Sequence, residues 1–309
     1  MKRTVWALTV GKMLAAFFMI AQLGFGQDMA PRAYVITPVG SNAVTASYSF
    51  NTGSVFVDPS LPVEDTSVHF STEALSYFRS LDVWGRSSNI TLLVPYVVAH
   101  AQGVVAGEFT QIYRSGLADS RLRFSVNLWG GPAKSPKDFG AWQEKGLLGA
   151  SVTVLIPTGQ YDPARIVNNG GNRWGFKPEI GMSRRWGRWV LEGYVGGWFY
   201  TPNDFYYPGG NQRTQAPFLA LEAHLNYYVT RRLWISLDGN FWNGGRTAVN
   251  SIEGSDNQRN SRAGITVALP VSQRQTLKFS YSRGTYVTIG GDYRTFSAAW
   301  QYSWLDKRE

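Results

Sequence analysis

The stretch that decides the fold is Thr295-Phe-Ser-Ala-Ala-Trp-Gln-Tyr-Ser-Trp304, close to the end of the 309-residue chain. Apolar side chains occupy every second position, at Phe296, Ala298, Trp300, Tyr302 and Trp304. The positions between them are mostly small or polar, so a β-strand over this stretch would have one apolar face and one polar face. An aromatic-rich face backed by a polar one is typical of a strand in a membrane barrel.

The first 26 residues have the order of a secretory signal peptide. Lys2 and Arg3 precede an apolar stretch from Met13 to Leu23, which is too short for a comfortable membrane span. A retained anchor is the alternative, but no stop-transfer pattern follows. We therefore expect residues 1–26 to be a signal peptide and residues 27–309 to form an outer-membrane β-barrel.

Composition narrows the class of protein further. No later segment has the roughly 18 consecutive apolar residues of a spanning helix, which leaves a closed barrel as the membrane option. The chain has no cysteine, which excludes disulfides and thiolate metal sites, and we expect no metal and no cofactor. The formal charge is +9, yet no Lys/Arg run accompanies it, and we predict no binding of nucleic acid.

Twelve segments of about ten residues alternate in polarity and are separated by turn residues. They are residues 41–51, 67–79, 88–100, 117–129, 146–157, 175–184, 188–200, 214–228, 233–243, 261–270, 275–285 and 294–304. The sequence therefore predicts an all-β fold, an up-and-down antiparallel transmembrane β-barrel of about 12 strands. A soluble β-sandwich or lipocalin-like barrel also has alternating strands and is the alternative.

Connection lengths and aromatic rings fit a membrane barrel. Tight connections alternate with long ones, as expected for short periplasmic turns and long outer loops, and an even strand count then puts both termini in the periplasm. The connection over residues 130–145 is too long for this rule, and we expect a small turn or helix there. Two aromatic girdles are predicted, one of Trp186, Trp189, Tyr227, Tyr302 and Trp304 and one of Phe176, Phe199 and Phe241.

If the apolar faces meet lipid, the opposite faces line the lumen. The residues expected there are Glu73, Arg121, Arg123, Glu179, Glu192, Glu222, His224, Asp238, Arg262 and Lys278, with an aromatic wall of Tyr194, Trp198 and Trp242. Four of the acids fall on consecutive strands, and Arg121 and Arg123 lie on a different strand. This separation of charge would set up a transverse electric field across a narrow channel. A salt-bridged interior is the alternative interpretation.

A loop motif over residues 157–174 combines Pro, Gly and Asn residues, which favour turns, with side chains that can brace them. The candidate residues are Asp162, Arg165, Asn168, Asn172, Arg173 and Trp174. We expect an ordered extracellular loop that folds over or into the mouth of the barrel. The more specific hypothesis is that this loop contacts a ligand.

A resemblance to a known family rests on this loop and on two further motifs, Phe176-Lys177-Pro178-Glu179-Ile180-Gly181 and Trp242-Asn243-Gly244-Gly245-Arg246. With them the chain resembles the outer-membrane family named for the meta-pathway of phenol degradation, also labelled simply as transporter. The resemblance implies uptake of aromatic compounds across the outer membrane. One departure is the tail Leu305 to Glu309, because such barrels usually end on the aromatic itself, and the assembly machinery would then recognise Trp304 or Tyr302.

We therefore predict a channel or uptake porin for small, aromatic or hydrophobic, solutes in the outer membrane of a Gram-negative bacterium. Its partners would be outer-membrane lipids, the solute and the outer-membrane assembly machinery. A structural or adhesin-like barrel is the second hypothesis, and an outer-membrane lipid hydrolase is the third. No Gly-x-Ser-x-Gly elbow accompanies any histidine. We expect no catalytic residue and interpret His224, beside Glu222, as a hydrogen-bonded structural histidine.

Overall fold

The computed structural model of the protein describes residues 29–56, 63–105 and 107–306. The predicted signal peptide lies outside the described residues. Within them, the helix α1 has four residues, Pro136–Phe139, and β-strands make up most of the rest. The strands are β1 Ser41–Phe56, β2 Val63–Val83, β3 Arg86–Val105, β4 Glu108–Leu117, β5 Ser120–Trp129, β6 Gly146–Ile156, β7 Gly175–Trp186, β8 Trp189–Tyr200, β9 Asn203–Tyr206, β10 Asn211–Gln215, β11 Phe218–Tyr228, β12 Trp234–Gly244, β13 Thr247–Val249, β14 Ile252–Glu253, β15 Gln258–Pro270, β16 Gln275–Tyr286 and β17 Gly290–Leu305.

The large sheet closes into a barrel. β1 pairs with β2 on one side and with β17 on the other, so the first and last strands complete the ring. β4 and β5 both pair with β3, one after the other along its length, and together form one barrel strand that is interrupted at Ala118 and Asp119. The ring then contains twelve antiparallel strands, and the predicted fold class is confirmed.

The two ends of the barrel differ. At one end, which we call the short-turn end, the strands are joined by tight turns such as Trp84–Gly85 and Gly187–Arg188. The connection over residues 130–145 is longer, as expected, and contains α1. Its N-cap Ser135 accepts a hydrogen bond from the Asp138 backbone N–H. The opposite end, which we call the long-loop end, carries residues 157–174 and a separate four-stranded sheet of β9, β10, β13 and β14.

One predicted strand, residues 214–228, is divided in two. β10 ends at Gln215 in the separate sheet, and β11 begins at Phe218 in the barrel. Pro217 lies between them, and because proline has no backbone N–H it cannot continue a central ladder.

The outer surface of the barrel is apolar. Large hydrophobic side chains are exposed along it, among them Tyr48, Leu75, Ile180, Leu191, Leu237, Phe296 and Trp300. Many inner side chains are polar and buried, which is the reverse of a water-soluble protein. No helix in the described part of the chain has the length and apolar character that crossing a membrane requires.

The C-terminal tail is tied to the short-turn end. β17 continues to Leu305, and Asp306 accepts hydrogen bonds from Asn42 Nδ2 at 2.7 Å and Arg79 Nη2 at 2.8 Å. The first residues after Trp304 therefore fasten the last strand to β1 and β2. Residues 307–309 lie outside the described residues.

Candidate functional site in the barrel lumen

The inner wall of the barrel has two unlike halves. The inner faces of β7, β8, β11 and β12 carry large or charged side chains that are almost fully buried, namely Lys177, Glu179, Glu192, Tyr194, Trp198, Glu222, His224, Asn226, Asp238, Asn240 and Trp242. We call this side the filled half. The inner faces of β16, β17, β1 and β2 carry, besides the larger Lys278 and Phe78, mostly small residues that remain partly accessible, namely Thr45, Ser47, Ser49, Thr72, Ser76, Ser280, Ser297, Ala299 and Gln301. We call this side the open half.

A chain of ion pairs crosses the filled half. Lys177 Nζ lies 2.7 Å from Glu179 Oε2 and 3.0 Å from Glu222 Oε1, so one buried cation bridges two carboxylates. Arg123 from β5 approaches Glu179 at 3.8 Å from the other side. The acids are therefore not separated from the bases as predicted, because each of these carboxylates faces a cation.

The chain continues through His224. Its Nδ1 lies 2.7 Å from Asp238 Oδ1, and its Nε2 lies 3.6 Å from Glu222. Asp238 also accepts hydrogen bonds from Ser236 Oγ and Thr266 Oγ1. In a Ser-His-Asp hydrolase, a serine hydroxyl would occupy the place at Nε2 where Glu222 lies.

The remaining predicted lumen residues are spread along the inner wall. Arg262 is buried near the long-loop end and donates to Ser282 Oγ, Thr295 Oγ1 and the Tyr293 carbonyl oxygen. Lys278 Nζ lies 5.7 Å from the centre of the Trp234 ring. Arg121 is half-buried on the inner face of β5. Glu192 lies nearer the short-turn end and bonds to Asn226 Nδ2 at 2.9 Å.

The prediction that Glu73 lines the lumen is wrong. Glu73 is exposed, and it lies directly opposite Tyr48 of β1 and Tyr96 of β3. Directly opposed residues share a face of the sheet, and both tyrosines point outward. Both faces of β2 carry polar residues, so alternation alone could not assign its sides; pairing with the neighbouring strands does.

The N-terminal segment, residues 29–40, lies inside the lumen at the short-turn end. Arg32 forms ion pairs with Glu144 at 2.5 Å and Glu192 at 3.2 Å. The Tyr34 hydroxyl donates to Glu179 Oε1 at 2.9 Å, and Asn127 Nδ2 donates to the Tyr34 carbonyl oxygen at 3.1 Å. The segment therefore packs against the inner wall from β5 to β8 at this end of the barrel.

Four functional candidates were missed at the level of sequence: Arg32, Tyr34, Glu144 and Lys177. Lys177 could have been found, because it is two residues from Glu179 on the same strand and shares its face. The other three lie in connecting segments without periodicity. No sequence signal places them in the lumen.

At the long-loop end, residues 157–174 fold over the mouth. The fully buried Asp119 carboxylate accepts hydrogen bonds from the backbone N–H groups of Gly159 at 2.9 Å and Gly171 at 2.8 Å, and so holds both ends of the loop. The loop tip, Ile166 and Val167, packs into an apolar cluster with Val55, Val68, Ala101, Tyr206, Ile289 and Tyr293. Because several of these belong to β1, β2, β3 and β17, the tip reaches across to the open half.

The predicted loop residues take different parts in this closure. Asn168 accepts from the Asp162 N–H at 2.9 Å and donates to the Arg165 carbonyl oxygen at 2.9 Å, while the Asp162 and Arg165 side chains form an ion pair at 3.0 Å. Asn172 Nδ2 donates to Asn203 Oδ1 at 2.9 Å.

The last two loop residues lie in contrasting surroundings. Arg173 is buried over the Tyr200 ring and donates to Gln215 Oε1. Burial and the neighbouring Arg213 guanidinium lower the pKa of Arg173. Trp174 is exposed.

A solved structure has a similar barrel. The COG4313 outer membrane channel from Pseudomonas putida F1 superimposes with a TM-score of 0.75 at 16% identity, over 90% of this chain and 100% of that chain. This likeness shows a common fold. The P. putida toluene transporter TodX gives a TM-score of 0.47 at 10% identity, over 88% of this chain and 92% of that chain, which is too loose to carry an argument.

No curated protein sequence matches the chain. A family model, however, matches residues 50–291, which is well over half of its length and includes ten of the twelve barrel strands in full, with the end of β1 and the first two residues of β17. The chain belongs to the family described as the MetA-pathway of phenol degradation.

Proposed function

We propose that the protein is an outer-membrane channel that takes up small solutes, aromatic or hydrophobic ones among them, and that both termini lie in the periplasm. The observation that carries this proposal is the uneven lumen. Ser280, Ser297, Ser49 and Thr72 lie side by side in register across β16, β17, β1 and β2, and each remains partly accessible. These hydroxyl side chains form a row on the inner wall, and we infer that the solute passes along this open half.

The lining suits a particular kind of solute. Hydroxyl groups donate and accept hydrogen bonds, and when the loop opens, the buried cluster around Ile166 and Val167 presents apolar side chains at the long-loop end. A small molecule with a ring and a polar end can use both surfaces. Membership of the phenol-degradation family supports this solute class. Twelve strands enclose a narrow lumen, which excludes folded partners.

Passage needs movement at both ends. The N-terminal segment closes the short-turn end, and the loop over residues 157–174 closes the long-loop end. We infer that the channel conducts in brief openings rather than as a wide general pore. Outer-membrane lipids surround its apolar band, and the assembly machinery of that membrane inserts it.

The test compares two neighbouring positions of β1. Ser49 faces the open half and Phe50 faces outward, so Ser49→Trp fills the path whereas Phe50→Trp replaces one lipid-facing ring by another. Uptake of 4-hydroxybenzoate, an anion that crosses lipid slowly, is measured in liposomes that contain the mature chain.

We expect uptake above that of protein-free liposomes, a several-fold loss in Ser49→Trp and no change in Phe50→Trp. Equal uptake with and without wild-type protein would overturn the proposal.

A further inference from the structure

The outer wall of the barrel carries a carboxylate among apolar side chains. Glu73 lies in register between Tyr48, which is 47% exposed, and Tyr96, which is 42% exposed. Four residues nearer the short-turn end, the Tyr77 ring lies 6.4 Å from that of Trp304, at the predicted girdle. Four residues of a tilted strand rise about 10 Å, so Glu73 lies well inside an apolar band about 25 Å tall.

An ionisable group at this depth is costly to leave alone. Ser71 Oγ donates to Glu73 Oε1 at 2.9 Å, and no ion pair to Glu73 forms among residues 29–56, 63–105 and 107–306. One neutral hydroxyl does not neutralise a carboxylate in a medium of low dielectric constant. The position is therefore suited to a cation that comes from outside the chain.

A groove of about 620 Å³ adjoins this carboxylate on the outer wall. Its floor is low because Ala46 and Ala298 take the place of larger side chains, and the rings of Tyr48, Tyr96 and Trp300 line it. The groove is open on its outer side, so a ligand in it would also touch the surrounding lipid. Aromatic faces also attract cations, so the rings and Glu73 favour the same sign of charge.

We propose that this groove binds a small membrane-dissolved amphiphile whose aromatic or alkyl body lies against the rings and whose protonated amine pairs with the Glu73 carboxylate. The pairing satisfies the carboxylate and desolvates both charges together, which makes the hydrogen bonds strong. The proposal rests on the membrane setting proposed above. It does not depend on an open lumen, because the groove lies on the outside of the wall.

The test uses the full mature chain in phosphatidylcholine nanodiscs, with empty nanodiscs as the baseline for partition into lipid. The probe is 4-hexylbenzylamine, and 4-hexylbenzyl alcohol is the matched neutral probe. Binding is measured by isothermal titration calorimetry. Glu73→Gln removes the charge with little change of shape, and Ala298→Phe fills the floor while it keeps the charge. Glu108→Gln, at the exposed start of β4, is the matched control.

We expect saturable binding of the amine and weaker binding of the alcohol. Glu73→Gln should weaken amine binding at least about tenfold, as the loss of a charge-assisted hydrogen bond does. Ala298→Phe should abolish binding, and Glu108→Gln should leave it unchanged.

Heats equal to those of empty nanodiscs, or unchanged binding in Glu73→Gln, would overturn the inference. Native mass spectrometry of the same samples tests a second copy of the chain as the occupant of the groove. If the amine does not bind and Ala298→Phe disrupts a dimer, the groove is a contact between two copies. Uptake of 4-hydroxybenzoate by liposomes that contain the same purified protein keeps the two proposals apart, because absent amine binding with intact uptake overturns this one alone.

Discussion

The Tyr34 hydroxyl donates a 2.9 Å hydrogen bond to Glu179 Oε1, so a side chain of the N-terminal segment is bonded to the inner wall of β7. Its ring lies against two glycines. A Cβ at Gly149 would come within 2.3 Å of the ring, and a Cβ at Gly181 within 2.2 Å. The wall therefore has a recess that only glycine at these two positions provides, and the segment occupies it.

Removal of the Tyr34 ring should open the short-turn end. We expect Tyr34→Ala to raise single-channel conductance in planar bilayers several-fold, because the ring and its hydrogen bond both hold the segment. Tyr34→Phe keeps the ring in its recess and should change conductance little, since one hydrogen bond contributes about 1 kcal/mol. Equal conductance of Asp119→Ala and the double variant Tyr34→Ala/Asp119→Ala, in which the loop end is already loosened, would contradict a closing role for the segment.

Loss of Lys177 should destabilise the barrel. Lys177→Met leaves Glu179 and Glu222 without the cation that bridges them, and breaking a buried pair in this way costs about 3–5 kcal/mol. Urea unfolding in lipid vesicles, followed by tryptophan fluorescence, gives the free energy of unfolding. The exposed Lys145 supplies the control, because Lys145→Met should leave stability unchanged. A Lys177→Met variant as stable as wild type would show that the bridge is dispensable.

Ion selectivity should respond to Arg121 more than to Glu222. Arg121 is half-buried on the inner face, whereas Glu222 is enclosed by Lys177 and His224. In a gradient of potassium chloride, Arg121→Ala should shift the reversal potential toward cation preference, and Glu222→Gln should shift it less. Arg188→Ala, in an exposed turn, is the control. A larger shift for Glu222→Gln would mean that the acidic side of the wall, and not Arg121, sets selectivity.

The loop over the mouth should loosen when Asp119 is removed. Asp119→Ala leaves the Gly159 and Gly171 N–H groups without their buried acceptor, which costs about 1–3 kcal/mol for each unsatisfied group. We expect faster cleavage within residues 158–174 in limited proteolysis of the membrane-embedded protein. Asp162→Ala removes an exposed carboxylate of the same loop and should change the rate less. Identical rates for wild type and Asp119→Ala would refute this anchoring.

Much of the barrel could be predicted from sequence because a membrane strand repeats every two residues and both of its faces are constrained. Phe296, Trp300 and their neighbours assigned β17 in this way. Alternation does not assign the side of Glu73, since the apolar side chains of β2 lie on both faces, as Phe70 and Leu75 show. Only the register with β1 and β3 decides the side.

The contents of the lumen were harder to predict for a different physical reason. The inward acids follow from parity, but their partners do not. Arg32 and Tyr34 belong to a segment without periodicity, and the carboxylates and glycines that hold them come from β6, β7, β8 and the connection after β5. These groups meet only when the barrel has closed.

The closure of both ends has a kinetic consequence. The segment at one end and the loop at the other act as two resistances in series, so the slower opening limits the flux. A variant that frees one end can raise transport only until the other end dominates. The double variant Tyr34→Ala/Asp119→Ala should therefore raise conductance by more than the product of the two single effects. Each single variant should conduct less than a path that is open at both ends.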